Sequence, residues 1–434
     1  MARVDVEGLT RRQRIVILAI CCTSLLIVSL DNTIVNVALP SIGRDLHTSF
    51  SGLAWVVDAY TLVIASMLIF SGSIADRFGR RRVFQIGLTV FSLGSLLCSL
   101  APSIPFLAGF RVLQGLGGSM LNPVALSIIT NVFTDPKERV QAIGVWGAVI
   151  GIGLAAGPIV GGALVSSAGW QSIFWINVPV GLAAMVLAGR MIPESRANHV
   201  RGFDPLGQLV AGGSLGLLTF TIIEGPRIGW GSGVILATGM GALLGFVLFV
   251  RYERRCKEPL IDLRYFRSAP FTGANIIAMA AFGGIGGFLF TNTVYLQDVR
   301  HLSALHAGID TLPMAIMTGI MPPIAGRLVA LRGTRIPLIA GGICLTLGGL
   351  GLVQVGPATS FTWLFVSYAI FGIGFGLVNA PITNVAVSGM PRAQAGVAAA
   401  IASTNRQVGQ TLGVAIAGAF AATAASRGVE GLTG

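Results

Sequence analysis

The chain has 434 residues, of which 53% are hydrophobic, 11% are charged and 59 are glycine, with a mean hydropathy of +0.80. A soluble domain is about 25% charged, so these side chains cannot cover a water-facing surface; disordered, collagen-like, coiled-coil and disulfide-scaffold classes are excluded as well. The net charge of +12 would suggest nucleic acid in a soluble chain, but the basic residues lie in short breaks between apolar runs, which makes this an integral membrane protein with no nucleic-acid partner.

A bilayer span needs about 20 mainly apolar residues. Such runs fall at 14–39, 52–75, 83–101, 105–131, 141–167, 173–193, 206–224, 231–251, 270–297, 307–330, 335–356, 361–388 and 394–424, thirteen in all. The expected fold class is therefore all-α integral membrane. The first run is no cleaved leader, because Asp31 and Asn36 stand where small residues would mark a cleavage site. Of the 29 basic residues, 23 lie at alternate ends of the runs beginning with the N-terminus, and only Arg44, Arg227, Arg300 and Arg427 lie at the opposite ends. By the positive-inside rule the N-terminus is cytoplasmic, in a cell (inner or plasma) membrane. Arg111 and Arg406 alone fall at membrane depth, well away from the ends of their runs.

Neither lysine, Lys137 or Lys257, follows a glycine, so no ATP-binding P-loop is present and ATP hydrolysis within the chain is not a power source. Five cysteines, four of them in apolar runs, imply no disulfide framework. His47, His199, His301 and His306 lie outside the runs without metal-ligand spacing, and no nucleophile motif occurs, so neither a metal site, a cofactor nor a catalytic residue is expected.

The segment Gly72–Arg81 is echoed by Gly326–Arg335, Gly115-x-Gly117 by Gly372-x-Gly374, and Gly153-x-x-x-Gly157 by Gly409-x-x-x-Gly413, at offsets of 254, 257 and 256. Three matches in one order at nearly one offset argue for two related halves, an arrangement used by secondary transporters. The offset equals eight runs rather than six. Residues 1–200 then form one six-helix half, 201–268 an inserted helix pair with a basic loop, and 269–434 the second half.

Several motifs carry a resemblance to a known family: Leu30-Asp31 through Asn36 to Pro40, Gly72–Arg82, Leu107-x-x-x-Arg111-x-x-Gln114-Gly115-x-Gly117, and Gly144-x8-Gly153-x3-Gly157-Pro158-x-x-Gly161-Gly162. Trp170–Pro179, Phe203-Asp204 and Pro259-Leu260 add to it. The chain resembles the major facilitator superfamily, in particular its drug:proton antiporters with fourteen spans. The resemblance implies a proton-coupled exporter of small hydrophobic or cationic compounds, of the drug or antibiotic efflux type, acting as a monomer with the substrate and protons as its partners. A proton-coupled metabolite importer on the same fold and a transport-inactive membrane sensor are the rivals. The ten residues after the last run are too few and too polar for a fourteenth span. Either the sequence is cut short or the protein spans thirteen times with its C-terminus outside.

Physical chemistry gives each motif a reading of its own. Asp31 lies inside a span, where ionisation is costly; such an acid either carries a proton or is a structural carboxylate bonded to Asn32 or Asn36. Arg111 cannot lose its proton and must find an acceptor, as a switch for a nearby acid or as half of a fixed ion pair. The resemblance assigns it proton coupling, and Gln114 lies one turn further on. Gly72, Asp76, Arg77, Gly79, Arg80 and Arg81 form a tight basic turn, which the resemblance makes a conformational gate; Ala330 replaces the acid in the second half. Gly153, Gly157 and Gly161 share one helix face beside Pro158, a close-packing surface that in the family marks exporters. Asn405, Arg406, Gln407 and Gln410 form a polar patch at membrane depth, a cavity lining or counter-charge. Asp58 reads either as a polar lining residue of the cavity or as interfacial, Asp310 and Glu224 as interfacial, and Trp55, Tyr60, Phe174 and Trp175 as belt or packing aromatics.

Overall fold

The computed structural model describes residues 9–196, 204–256, 259–353, 355–388 and 395–433; His199, Phe203 and Lys257, named above, lie outside them. Without water to take up backbone groups, apolar runs must bond internally, and every one of the thirteen runs is helical. In order the helices are α1 (Arg11–Asp45), α2 (Phe50–Phe78), α3 (Arg80–Ser99), α4 (Ile104–Val132), α5 (Pro136–Ala168), α6 (Ser172–Trp175), α7 (Asn177–Met191), α8 (Pro205–Ile228), α9 (Gly233–Glu253), α10 (Ala269–Val294), α11 (Ala304–Asp310), α12 (Leu312–Arg332), α13 (Arg335–Gly351), α14 (Phe361–Ser388) and α15 (Ala395–Thr433). A π-helical turn, Tyr295–Val299, extends α10. No strand occurs among the described residues.

Among the described residues, ten helical segments are long and apolar enough to cross a membrane by length and composition, and Ala156–Ala168 and Arg335–Gly351 are shorter apolar helices. Two expected runs are each broken in two, at Ile176 and Thr311. Pro179 and Pro313 lack the amide that would carry the ladder across either break. In contrast, α15 continues as helix through the polar segment after residue 424.

Local signals set the helix ends. Thr10 and Gln13 cap α1 reciprocally, with Gln13 N donating to Thr10 Oγ1 at 3.3 Å and Thr10 N to Gln13 Oε1 at 2.8 Å. Asp135 and Asp204 cap α5 and α8, each followed by proline. Gly79, Gly169, Gly229 and Gly333 end α2, α5, α8 and α12 with φ of +114°, +78°, +96° and +77°, a region that only glycine enters freely.

The repeat read in the sequence is visible in packing. The α2–α4, α3–α4 and α1–α5 contacts recur as α12–α14, α13–α14 and α10–α15. A side-chain carbon at Gly117 would lie 2.7 Å from the Gly87 carbonyl oxygen, and one at Gly374 would lie 2.8 Å from that of Gly341. The halves meet along α2 with α15, α5 with α11 and α12, and α1 with α10, while α8 lies across α2 and α15. Exposed Leu236, Leu243, Leu244 and Leu248 give α9 an apolar face suited to lipid.

Candidate functional site

Glycine sets the first cluster. A side-chain carbon at Gly94 would stand 2.6 Å from the Gln114 amide nitrogen, and one at Gly115 would stand 2.8 Å from the Tyr60 carbonyl oxygen. Close approach of α3 and α2 to α4 therefore brings Ser95 and Tyr60 beside Arg111. Arg111 Nη1 donates to Asp31 Oδ2 at 2.5 Å and to Gln114 Oε1 at 2.7 Å, and its Nε donates to the Val56 carbonyl at 3.0 Å. Asp31 Oδ1 accepts from Gln114 Nε2 at 2.9 Å and from Asn177 Nδ2 at 3.1 Å. Both amides also reach Ser95 Oγ, at 3.1 and 3.0 Å. The Tyr60 ring covers the guanidinium at 4.1 Å, with Phe174 at 5.8 Å.

Arg111 and Asp31 are 1% and 0% exposed, so the cost of desolvating two charges is offset only because almost every lone pair and proton has a partner. Asp31, Arg111 and Gln114 are thus brought together. Asn36 is not; its Nδ2 donates to the Asn32 carbonyl at 2.9 Å, one turn back on α1. Ser95, Asn177, Tyr60 and Val56 were missing from the sequence reading of this site. Asn177 stood inside a quoted motif, and Ser95 offered only the weak signal of a hydroxyl in an apolar run.

Asp58 differs from the interfacial reading. It is fully buried on α2, its Oδ1 accepts one long bond from Thr61 Oγ1 at 3.4 Å, and its Oδ2 has no partner. Thr61 Oγ1 accepts from Thr411 Oγ1 of α15 at 2.9 Å, and Ala54 lies 3.0 Å from where a side-chain carbon at Gly418 would stand. Asp58 therefore lies along the seam between the halves. Glu224 is also buried, accepting from Trp55 Nε1 at 2.9 Å and Arg227 Nε at 2.5 Å, which ties α8 to α2. Asp310 ends α11 at the Thr311 break.

The glycine motif of α5 has two faces. Side-chain carbons at Gly153 and Gly161 would meet Ser29 Cβ at 2.6 Å and Ile34 Cγ1 at 2.7 Å on α1, and one at Gly157 would collide with Thr33 Oγ1. A carbon at Gly162 would lie 2.5 Å from the Ala304 carbonyl oxygen of α11, and one at Gly308 would collide with the Pro158 carbonyl. Gly144 has open space around it. At the same charge-poor end, Gln297 Nε2 donates to the Val37 carbonyl at 2.7 Å and Arg44 Nη1 donates to Asp298 at 3.3 Å, so the halves are closed against each other there.

At the basic end, Asp76 accepts from Arg80 Nε and Nη2 at 3.1 and 2.9 Å, within its own half. Gly72 packs on Pro123, and Arg77 only flanks Phe78 at 6.0 Å. Glu194 completes the turn: it lies against Gly79, accepts from Arg81 N at 3.0 Å, and has Arg81 and Arg82 each at 3.8 Å. Sequence offset gave no signal for it. In the second half, Arg406 Nη2 donates to the Asn379 carbonyl at 3.1 Å and to Thr383 Oγ1 at 2.5 Å. Asn405 bonds Asn275 at 2.7 Å and Gln410 packs on Gly286, so the polar patch divides among α10 and α14. No group of three or more His, Cys, Asp or Glu side chains able to hold a metal occurs among the described residues.

Two repeated helical halves around buried, largely satisfied charges, with apolar faces outward, define a multi-pass membrane carrier. A family model for the major facilitator superfamily matches residues 21–414, and the chain belongs to that superfamily. Its relatives include the multidrug resistance protein Stp of Mycobacterium tuberculosis, 37% identical over 94% of this chain and 75% of that one. Another is the tetracenomycin C resistance and export protein of Streptomyces glaucescens, 36% identical over 98% and 78%. The fold is also that of a bacterial homologue of the human lysosomal transporter Spinster, solved inward-facing and unoccupied (TM-score 0.66, 19% identity, covering 96% of this chain and 84% of that one).

Proposed function

We propose that the protein is a proton-coupled exporter of small, mainly apolar drug or antibiotic molecules, working as a monomer in the plasma membrane with its N-terminus in the cytoplasm. Residues 1–200 and 269–434 act as the rocking halves, and 201–268 as an inserted pair. Relatives named for multidrug resistance and antibiotic export support the substrate class and direction. The charge-poor end is then the outer one, closed by Gln297, Arg44 and the Gly162–Ala304 approach.

One observation carries the coupling: Asp58 is buried at the seam with an oxygen that nothing satisfies. A carboxylate without a counter-charge is stable in a dry seam only as the neutral acid, and it ionises when the seam opens to water. Each opening and closing of the halves then releases and reloads a proton. Asp31 is held by Arg111, Gln114 and Asn177, which suits it to keep α1, α4 and α7 in register rather than to exchange protons in this state. Asp76 and Glu194 hold the cytoplasmic turn as the gate.

The test is proton release from acidified inverted vesicles, followed with a pH-sensitive dye as ethidium and planar aromatic antibiotics are added. The parent releases protons on addition of at least one compound. Asp58→Asn is near in shape; it is expected to bind that compound as the parent does and to release none. Release at the parent rate from Asp58→Asn removes Asp58 from the coupling.

A further inference from the structure

Arg406 is a cation without a counter-ion. It makes two bonds, both to neutral oxygens on α14, and its Nε is buried without a partner. The sequence holds no Asp or Glu from residue 311 to residue 429, so α12, α13 and α14 can supply no acid, and α10 contains none either. Glu430 lies 24 residues along α15, about 36 Å away on a helical rise. Asp58 is no partner: it and Arg406 diverge from the Thr61–Thr411 contact in opposite directions, about 12 Å apart along the axes. An isolated guanidinium at membrane depth is costly unless something anionic visits it.

The first half shows what the second lacks. Gly94 packs on Gln114 as Gly348 packs on Phe371, and Gly153 and Gly157 pack on Ser29 and Thr33 as Gly409 and Gly413 pack on Met279 and Gly283. In that register Ala281, Tyr368 and Phe371 replace Asp31, Arg111 and Gln114. Among the described residues the second half thus has no counterpart of that buried ion pair, and Arg406 itself is only partly buried. Thr404 Oγ1 and Gln407 Oε1, within one turn of Arg406, are also buried without partners. Phe282 lies 5.4 Å from the guanidinium and packs edge-on against Phe375 at 5.0 Å.

We propose that Arg406 is the recognition point for an acidic oxygen of the substrate, a carboxylate, phenolate or enolate on a planar aromatic body that lies against Phe282. This narrows the class of cargo and rests on the export reading above. The guanidinium offers its free Nε–H to the acidic oxygen, and the ring supplies an apolar wall beside it. The site lies on α15, the helix that also meets the Asp58 seam, so an occupied cargo site and the proton site share one moving element.

The experiment measures binding to the purified protein in lipid nanodiscs at pH 7.5, by tryptophan fluorescence. The probes are a panel of planar aromatic carboxylates, each paired with its carboxamide. The parent is expected to prefer the acid of at least one pair about tenfold. Arg406→Gln should erase that preference while leaving amide affinity within about threefold, and Arg406→Lys should keep part of it, because lysine retains the charge without the planar fork. A parent with no acid preference in any pair overturns the proposal, whatever the variants do. So does a folded Arg406→Gln that keeps the preference; if that variant does not fold, Arg406→Lys with the parent's full preference does the same. Binding needs no proton gradient, so an acid preference in a protein that moves no protons would sink the export reading alone. Proton-coupled flux of neutral compounds without acid preference would sink only this inference.

Discussion

Arg111→Ala is expected to lower the stability of the fold by about 3–5 kcal/mol, because it leaves the Asp31 carboxylate buried without its counter-charge. The remaining donors, Gln114 Nε2 and Asn177 Nδ2, are neutral and both reach only Oδ1. Oδ2, which Arg111 Nη1 meets at 2.5 Å, would have no partner. Thermal unfolding in detergent of fixed composition reads the loss directly. The double variant Asp31→Asn with Arg111→Met removes both charges at similar volume and should recover most of the stability, since a buried pair is worth little more than the apolar residues that could replace it. A loss near 1 kcal/mol in Arg111→Ala, or a double variant no better than the single, would contradict the satisfied pair. Export by the recovered double then divides the two roles of the pair: persistence makes it a strut for α1, α4 and α7, and loss with stability intact makes its charges part of the cycle.

Gly162→Leu is expected to abolish export while the protein still folds. The side chain would enter the 2.5 Å gap to the Ala304 carbonyl, a contact between halves that separates in the alternative state. Outer closure, not folding, is therefore what it blocks. Gly157→Leu meets Thr33 on α1 inside one half and has no such escape; overpacking there should cost about 1–3 kcal/mol of stability. Gly144→Ala, with open space around it, should change neither. Labelling a cysteine introduced at Arg44 with a membrane-impermeant maleimide separates the cases. Faster labelling is expected in Gly162→Leu and the parental rate in Gly157→Leu. Equal rates in all three would mean that α5 does not gate the outer side.

Much of the site was legible because several signals are local. Charged residues at membrane depth are rare and need an explanation, so Asp31 and Arg111 each stood out as site residues; that they are each other's partners was decided by packing. Which groups complete the pair was not legible. Asn177 and Ser95 are ordinary polar residues 146 and 64 positions from Asp31, and only helix packing brings them within bonding distance. The same limit explains Asp58 and Glu224. Each lies near a helix end in the sequence, which suggests an interface with water, yet α15 packs over the helix that carries Asp58 and α2 over the one that carries Glu224. Arg406 shows the converse: its lack of an acid is countable in the sequence, but its unpartnered Nε and its aromatic neighbour belong to the packing.

The sequence by itself determined the bilayer, the number and approximate limits of the apolar runs, the expected orientation and the twofold repeat. All of these rest on composition and spacing along one chain, and the cost of unsatisfied backbone in lipid turns such runs into helices. Tertiary structure alone decided which charges are paired and which are left waiting, and which glycines join helices within a half or across the two. Those outcomes depend on distances between residues far apart in the chain, where a difference of about 1 Å separates a hydrogen bond from none.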